Sequence, residues 1–286
     1  MTYNDLYRQS KTILSQAGLD SPAFDAMCLF ESACGFGRQQ LIMNGNMQVQ
    51  DAQADKLLSL INRRKNHEPL QYIIGVWDFM EHSFCVGKGV LIPREDTSVV
   101  VELCQSEINR IFGDKPLNII DLCAGSGAIS VVLGDAYKAS HITALEKSDT
   151  AFKYLQKNVL LNKAENVGIV TGDVFTDYVN YVENFFDVII SNPPYIESQV
   201  IATLEPEVQL EPLMALDGGT DGYDFYRVIV NKWSSLLKRG GVLVFELGEG
   251  QLDTVKQIME SAGFTQIKQA LDIQEIQRGI SGVYRP

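Results

Sequence analysis

Five apolar runs spaced along the chain beyond residue 115 restrict its fold more than any other feature: LNII (117–120), HITALE (141–146), VGIVT (167–171), DVIIS (187–191) and GVLVFEL (241–247). A strand that is apolar at successive positions offers water no polar face, so it needs cover on both sides of its sheet. The stretches between the runs provide that cover, because residues 128–137, 150–161, 223–237 and 251–262 carry the apolar spacing of helices. Alternating strands and helices predict an α/β fold, a parallel, doubly wound sheet. Short strands near 264–271 and 279–284 are expected to close one edge of it.

The first part of the chain has a different texture. Ser21-Pro22 supplies a cap and a proline suited to a first helical turn, ahead of Ala26, Leu29, Phe30 and Ala33 at the spacing of one helical face. Ala54, Leu57, Leu58 and Ile61 repeat that spacing behind Asp51. A small helical bundle is predicted over residues 1–68. QYIIGVWDF and HSFCV, on either side of MEH, read as a β-hairpin linker over 69–90, with Trp77 and Phe79 expected to pack between domains. LIPREDTSVVVELC reads as a turn entering a helix, and residues 91–286 are expected to form the α/β domain.

Charge narrows the partners. With 24 Lys and Arg against 36 Asp and Glu the net charge is −12, a balance that opposes long-range attraction to nucleic acid or to an anionic membrane. The N-terminal MTYNDLYRQSKTIL lacks the apolar centre of a secretory signal, and no stretch approaches the ~20 apolar residues of a membrane span. A cytoplasmic protein is expected. Cys28, Cys34, Cys85, Cys104 and Cys123 are scattered without a CxxC pair, and His67, His82 and His141 show no partner spacing. Neither a metal site nor a disulfide framework is therefore expected.

In an open α/β sheet ligands bind beyond the carboxyl ends of the strands, and the ends of the first four runs carry suggestive residues. The first run leads into IIDLCAGSGAIS, where Asp121, Cys123, Ala124, Gly125, Ser126 and Gly127 precede a helix. Glycines there let a ligand approach the backbone and the helix N-terminus, although the full GxGxxG pattern is absent around Cys123 and Ser130. The second run ends at Glu146, 25 residues after Asp121; a carboxylate so placed either accepts both ribose hydroxyls of an adenosine cofactor or caps a helix. The third ends in TGDVF, where Asp173 and Val174 are placed to meet an adenine edge and face, Asp173 being equally suited to capping.

The fourth run ends in SNPPY (191–195). Asn192 carries a carbonyl acceptor, and Pro193 has a C=O but no N–H. Two convergent acceptors can hold both hydrogens of an –NH2 group while Tyr195 offers a flat face to a planar substrate. An amide or aromatic amine has its nitrogen lone pair delocalised. Gripping its hydrogens out of plane favours localising that pair toward an electrophile set in line.

This combination resembles a class I S-adenosylmethionine methyltransferase, a Rossmann-like fold, acting on a planar nitrogen. The helical N-terminal domain, QYIIG, LIPREDT, IIDLCAGSGAIS, FDVIISNPPYI, EPLMALDGG and VFELGEGQ together resemble the PrmC/HemK family of release-factor glutamine methyltransferases over essentially the whole chain. The resemblance implies transfer of a methyl group from S-adenosyl-L-methionine to the side-chain amide nitrogen of the glutamine in the Gly-Gly-Gln tripeptide of peptide chain release factors. It also implies that the N-terminal bundle helps to dock that protein.

Carried over residue by residue, it sets the cofactor against Asp121, Cys123, Ala124, Gly125, Ser126, Gly127 and Glu146, with Asp173 and Val174 at the adenine and Asn192 bridging cofactor and substrate. Asn192, Pro193 and Tyr195 are then the catalytic set, and Pro194 joins them in holding the glutamine. Arg94 either lines the entrance or forms a structural ion pair, and Glu211-Pro212 either orders the loop beneath the substrate or makes an ordinary turn. The chain departs from the family pattern at Cys123, usually glycine, at Val174, often aromatic, at Glu95, commonly proline, and in the tail LDIQEIQRGI, which lacks the usual basic, glycine-containing turn. A monomer that works without metal, nucleic acid or membrane is expected. NPPY also occurs in enzymes that methylate adenine N6 in DNA or RNA, and a cofactor-binding docking module with weak catalysis is a third reading.

Overall fold

Helical spacing and capping chemistry account for the first of two units, Met1–Val76 together with Glu205–Leu210; the computed structural model describes residues 1–285. Thr2 starts α1 (Tyr3–Gln16) with a reciprocal box, its side chain accepting from Asp5 N–H while the Asp5 carboxylate accepts from Thr2 N–H. α2 (Pro22–Cys34) begins on the expected proline and stops at left-handed Gly35. α3 (Arg38–Asn44), α4 (Asp51–Lys65) and α5 (Leu70–Ile74) complete the unit. Leu6, Leu14, Leu29, Phe30 and Leu57 are fully buried in it. Arg64 is buried as well, its Nε 2.7 Å from Asp25 and its Nη2 2.7 Å from Glu207 of the 205–210 segment. A guanidinium taken out of water needs such partners on more than one side.

The second unit begins at Trp77, inside β1 (Val76–Phe79), which forms a hairpin with β2 (His82–Cys85). Phe79 and Phe84 are buried in one cluster with Ile119, Val188 and Val242, and Trp77 packs against that cluster. The expectation that Trp77 and Phe79 pack between domains is thus corrected, since both serve the core of the α/β unit itself. The chain continues through α6 (Glu95–Ile111), β3 (Asn118–Leu122), α7 (Ala128–Ala136), β4 (His141–Glu146), α8 (Asp149–Leu161), β5 (Val167–Thr171) and β6 (Phe186–Ser191). It ends with α9 (Asp224–Val228), β7 (Leu237–Glu246), α10 (Leu252–Ser261), β8 (Phe264–Leu271) and β9 (Gln277–Tyr284).

The sheet runs β5-β4-β3-β6-β7-β9-β8. Ile119, Val188, Val242 and Val244 bury on one face, and Ile120, Ile189, Leu243 and Phe245 on the other, which is why these strands read as unbroken apolar runs. β3 to β7 pair in parallel, but β9 lies antiparallel between β7 and β8, so the sheet is mixed and not wholly parallel as predicted. A short turn, closed by bonds between Asp272 and Ile276, returns the chain from β8 straight into β9, and so short a connection joins only antiparallel strands. The strand order reverses at β3, flanked by β4 and β6, and opens a crevice at their carboxyl ends.

The helix predicted over 223–237 is broken. After α9 come a π-turn, Ile229–Trp233, and a 3-10 turn, Ser234–Leu236. The wider turn aims the fully buried Trp233 so that its indole N–H reaches the Val174 carbonyl at 2.9 Å.

Candidate active site

The carboxyl ends of β3, β4, β5 and β6 meet in a cleft. Its wall brings together Cys123, Gly125, Glu146, Asp173, Val174, Asn192 and Pro194 of the predicted residues. Asp121, Ala124, Ser126, Gly127, Pro193, Tyr195 and Arg94 lie outside that wall.

Several of these outlying residues shape the loop after β3. Asp121 is buried and accepts the Ser130 hydroxyl at 2.6 Å; burial pushes its carboxyl up to about 7, against the pull of that hydrogen bond. Gly127 opens α7 at φ +82°, and a Cβ there would stand 2.5 Å from Leu155 Cδ1, so only glycine passes. A Cβ on Gly125 would meet only the Cys123 carbonyl, 3.9 Å away, leaving room for a ligand against the backbone. Cys123 holds φ +64°, a conformation glycine adopts freely, and burial pushes its thiol well up, which makes it a poor nucleophile.

Glu146 is buried at the end of β4, and its two oxygens accept from Gly125 N–H at 2.8 Å and Ser148 N–H at 2.7 Å. Burial raises its pKa, while those N–H groups oppose the rise. Burial also works against ionisation of Asp173, but Lys147 at 2.7 Å and the Phe175 N–H outweigh it and hold that carboxyl below its usual range. Beside Val174 the cleft has an aromatic wall that sequence reasoning missed: Phe175 and Phe225 meet edge to face at 4.8 Å. The available signal was the position of Phe175 directly after Val174.

At the end of β6 the Ser191 hydroxyl donates to the Leu122 carbonyl at 2.6 Å and ties β6 to β3. Asn192 Nδ2 donates to Thr97 Oγ1 at 3.2 Å, and the Thr97 hydroxyl donates to Glu246 Oε2 at 2.6 Å. The Tyr195 phenol donates to Glu246 Oε1 at 3.3 Å. Glu246 is fully buried, and burial pushes it up to about 7 although Thr97 opposes the shift. Burial raises the Tyr195 phenol too. The backbone of Tyr195 is held as firmly as its ring. Gln251 Nε2 donates to its carbonyl at 3.0 Å, and a Cβ on Gly218 would lie 2.7 Å from its Cα. Sequence reasoning also missed Thr97, Glu246 and Gln251 as members of this site. Glu246 ends β7, within the fifth apolar run, so extending the reading of strand ends by one strand finds it.

Arg94 pairs with Glu211. Its Nη2 hydrogen-bonds Glu211, and the other Glu211 oxygen accepts Ile92 N–H at 2.9 Å. The ion pair read for Arg94 is formed, and Pro212, next to Glu211, lines the cleft. Among the described residues no helix is long and apolar enough to cross a membrane.

Residues 5–75 match the family described as PrmC N-terminal domain, and residues 105–206 match the Methyltransferase small domain. A release factor glutamine methyltransferase of Thermodesulfovibrio yellowstonii is 39% identical, over 82% of this chain and 82% of its own. Its namesake in Caulobacter vibrioides is 32% identical over 100% of this chain and 98% of its own. Among solved structures, the hMettl16 catalytic domain, in complex with the MAT2A 3'UTR hairpin 6, superposes with a TM-score of 0.57 at 18% identity, over 83% of this chain and 85% of that one. That likeness establishes a shared fold alone.

Proposed function

The chain belongs to the family of release factor glutamine methyltransferases, and from that premise we propose that its cleft holds S-adenosylmethionine while the SNPPY corner holds the side-chain amide of the glutamine in a release factor's Gly-Gly-Gln tripeptide. The observation that carries this reading is the placement of Asn192 in one cleft with Gly125, Glu146 and Val174. These groups suit the cofactor: a carboxylate for ribose hydroxyls, apolar and aromatic walls for adenine, and open backbone at Gly125. When bound, S-adenosylmethionine supplies the electrophilic methyl; an N–CH3 bond forms, the S–CH3 bond breaks, and one amide proton leaves to water.

The chain's own residues contribute position. Asn192 Oδ1 and the Pro193 carbonyl take the two amide hydrogens, and Tyr195 packs on the amide plane. Glu146 binds the cofactor sugar and steadies Gly125. The helical unit, residues 1–68, docks the release factor, residues 69–90 form the linker, and residues 91–286 carry the chemistry. The enzyme acts as a cytoplasmic monomer on a protein substrate, in keeping with a net charge of −12 that disfavours nucleic acid.

Peptide-mass analysis of a purified release factor incubated with the protein and S-adenosylmethionine tests the reading. One added methyl on the tripeptide glutamine is expected, and none on a Gln→Ala variant of the tripeptide. Cofactor binding without any added methyl would overturn it and leave the docking-module reading in its place.

A further inference from the structure

Asn192 contributes to the site only if it presents the correct end of its amide. The Oδ1 end accepts a substrate N–H, whereas the Nδ2 end would set donor against donor. Nothing about the residue type chooses between the two; its neighbours must. The neighbour within reach is Thr97 on α6, 3.2 Å from Asn192 Nδ2, and a threonine hydroxyl has one proton to give. Where that proton goes decides whether Thr97 meets Asn192 as acceptor or donor. It goes to Glu246 Oε2, 2.6 Å away at the end of β7.

We propose that Thr97 and Glu246 are positioning residues for methyl transfer: the Glu246 carboxylate takes the Thr97 proton, Thr97 takes an Asn192 N–H, and Asn192 Oδ1 is thereby turned to the substrate amide. The inference rests on the functional reading of Asn192 given above and deepens it. The relay runs through buried groups, with Glu246 at 1% and Thr97 at 4% exposure, so water does not scramble its polarity. The second carboxylate oxygen accepts from Tyr195, so one ionised group orients both polar side chains of the SNPPY corner.

A consequence follows for pH. A protonated Glu246 becomes a donor, frees the Thr97 proton to face Asn192, and favours the turned-round amide. The groups that face Glu246 are Thr97 and Asp96 on α6, Tyr195 beyond β6 and Arg278 on β9, while Tyr226 of α9 donates to its backbone carbonyl and not to its carboxylate. Burial is the strongest influence and Asp96 adds to it, so despite Thr97, Tyr195 and Arg278 the carboxyl titrates at about 7. Activity is therefore gained as pH rises through neutrality.

Steady-state methylation of a release factor at saturating S-adenosylmethionine, from about pH 5.5 to about pH 8.5, tests the relay. Thr97→Val removes the acceptor for Asn192 and is expected to lower kcat by about 10- to 100-fold, with KM for the release factor and cofactor affinity within about twofold of wild type. Thr97→Ser keeps the hydroxyl and is expected to restore kcat. Glu246→Gln keeps an acceptor for the Thr97 proton but cannot titrate, so its rate should stay flat where that of wild type falls on the acid side. Wild-type kcat in Thr97→Val, or an unchanged acid limb in Glu246→Gln, overturns the proposal while methylation by wild type leaves the functional reading standing. A wild-type protein that transfers no methyl to the tripeptide glutamine removes both.

Discussion

Both oxygens of Glu146 already accept a backbone N–H, from Gly125 and from Ser148. A carboxylate has about four lone-pair sites, so two remain for a ligand's hydroxyls. One side chain thus holds the loop after β3 in place and, on the proposed reading, has acceptors left for the ribose, so that reading and the backbone contacts are compatible. Glu146→Ala removes both contributions. Cofactor affinity, measured by calorimetry, is expected to weaken by about 1–3 kcal/mol, or roughly 5- to 150-fold, for two lost hydrogen bonds to a charged group. An affinity equal to wild type would take Glu146 out of the cofactor site. Cys123 admits a similar reading at one position. Its left-handed backbone preserves the path that a glycine would take, so the departure from the family pattern is conformationally absorbed.

α8 links two elements that the chain order keeps apart. Asn158, fully buried on it, accepts from Cys85 N–H at 2.7 Å and donates to the carbonyls of Cys85 at 3.1 Å and Ser126 at 2.9 Å. One amide therefore joins β2 to the glycine loop of the cleft. Asn158→Ala leaves three backbone groups, one buried and two part-buried, without that partner, and a loss of about 3 kcal/mol is expected, seen as a lower urea midpoint. A midpoint equal to wild type would mean that the join is redundant. Such links explain what sequence reading could and could not see. β4 and β5 coincide with their apolar runs; in β4 burial on both faces writes itself into consecutive residues, whereas the edge strand β5 leaves Val170 exposed. Gly125, Glu146, Val174 and Asn192 were legible because each sits at the end of such a run. Asn158 reads as one more polar residue of a helix, since its partner Cys85 lies 73 positions away. Thr97 precedes Asn192 by 95 positions and Glu246 by 149, and no local pattern encodes a pairing at that distance. The π-turn at Ile229–Trp233 was hidden for the same reason, being set by the bond from Trp233 to Val174.

For the molecule as a whole, two buried carboxyls near the cleft make stability depend on pH. Asp121 and Glu246 are both pushed up to about 7 by burial. In the unfolded chain such groups titrate near about 4, so between about pH 4 and pH 7 the folded protein binds more protons than the unfolded one. Their contribution to stability is complete below the unfolded value and is lost as pH rises through the folded value. Carboxyls held low, such as Asp173 beside Lys147 and Glu107 beside Arg110 and Lys268, work in the opposite sense, adding stability above their unfolded value and losing it as pH falls. That second set acts mainly at acid pH, so the first governs the neutral range, and a net charge of −12 adds self-repulsion in the same direction. The urea midpoint is therefore expected to be higher at about pH 5.5 than at about pH 8. Glu246→Gln separates the two demands on this residue. At about pH 8 it removes a buried charge and keeps an acceptor for Thr97, so its midpoint should exceed that of wild type. A lower midpoint would show that the ionised Glu246 contributes to the fold instead of being tolerated for the sake of Asn192.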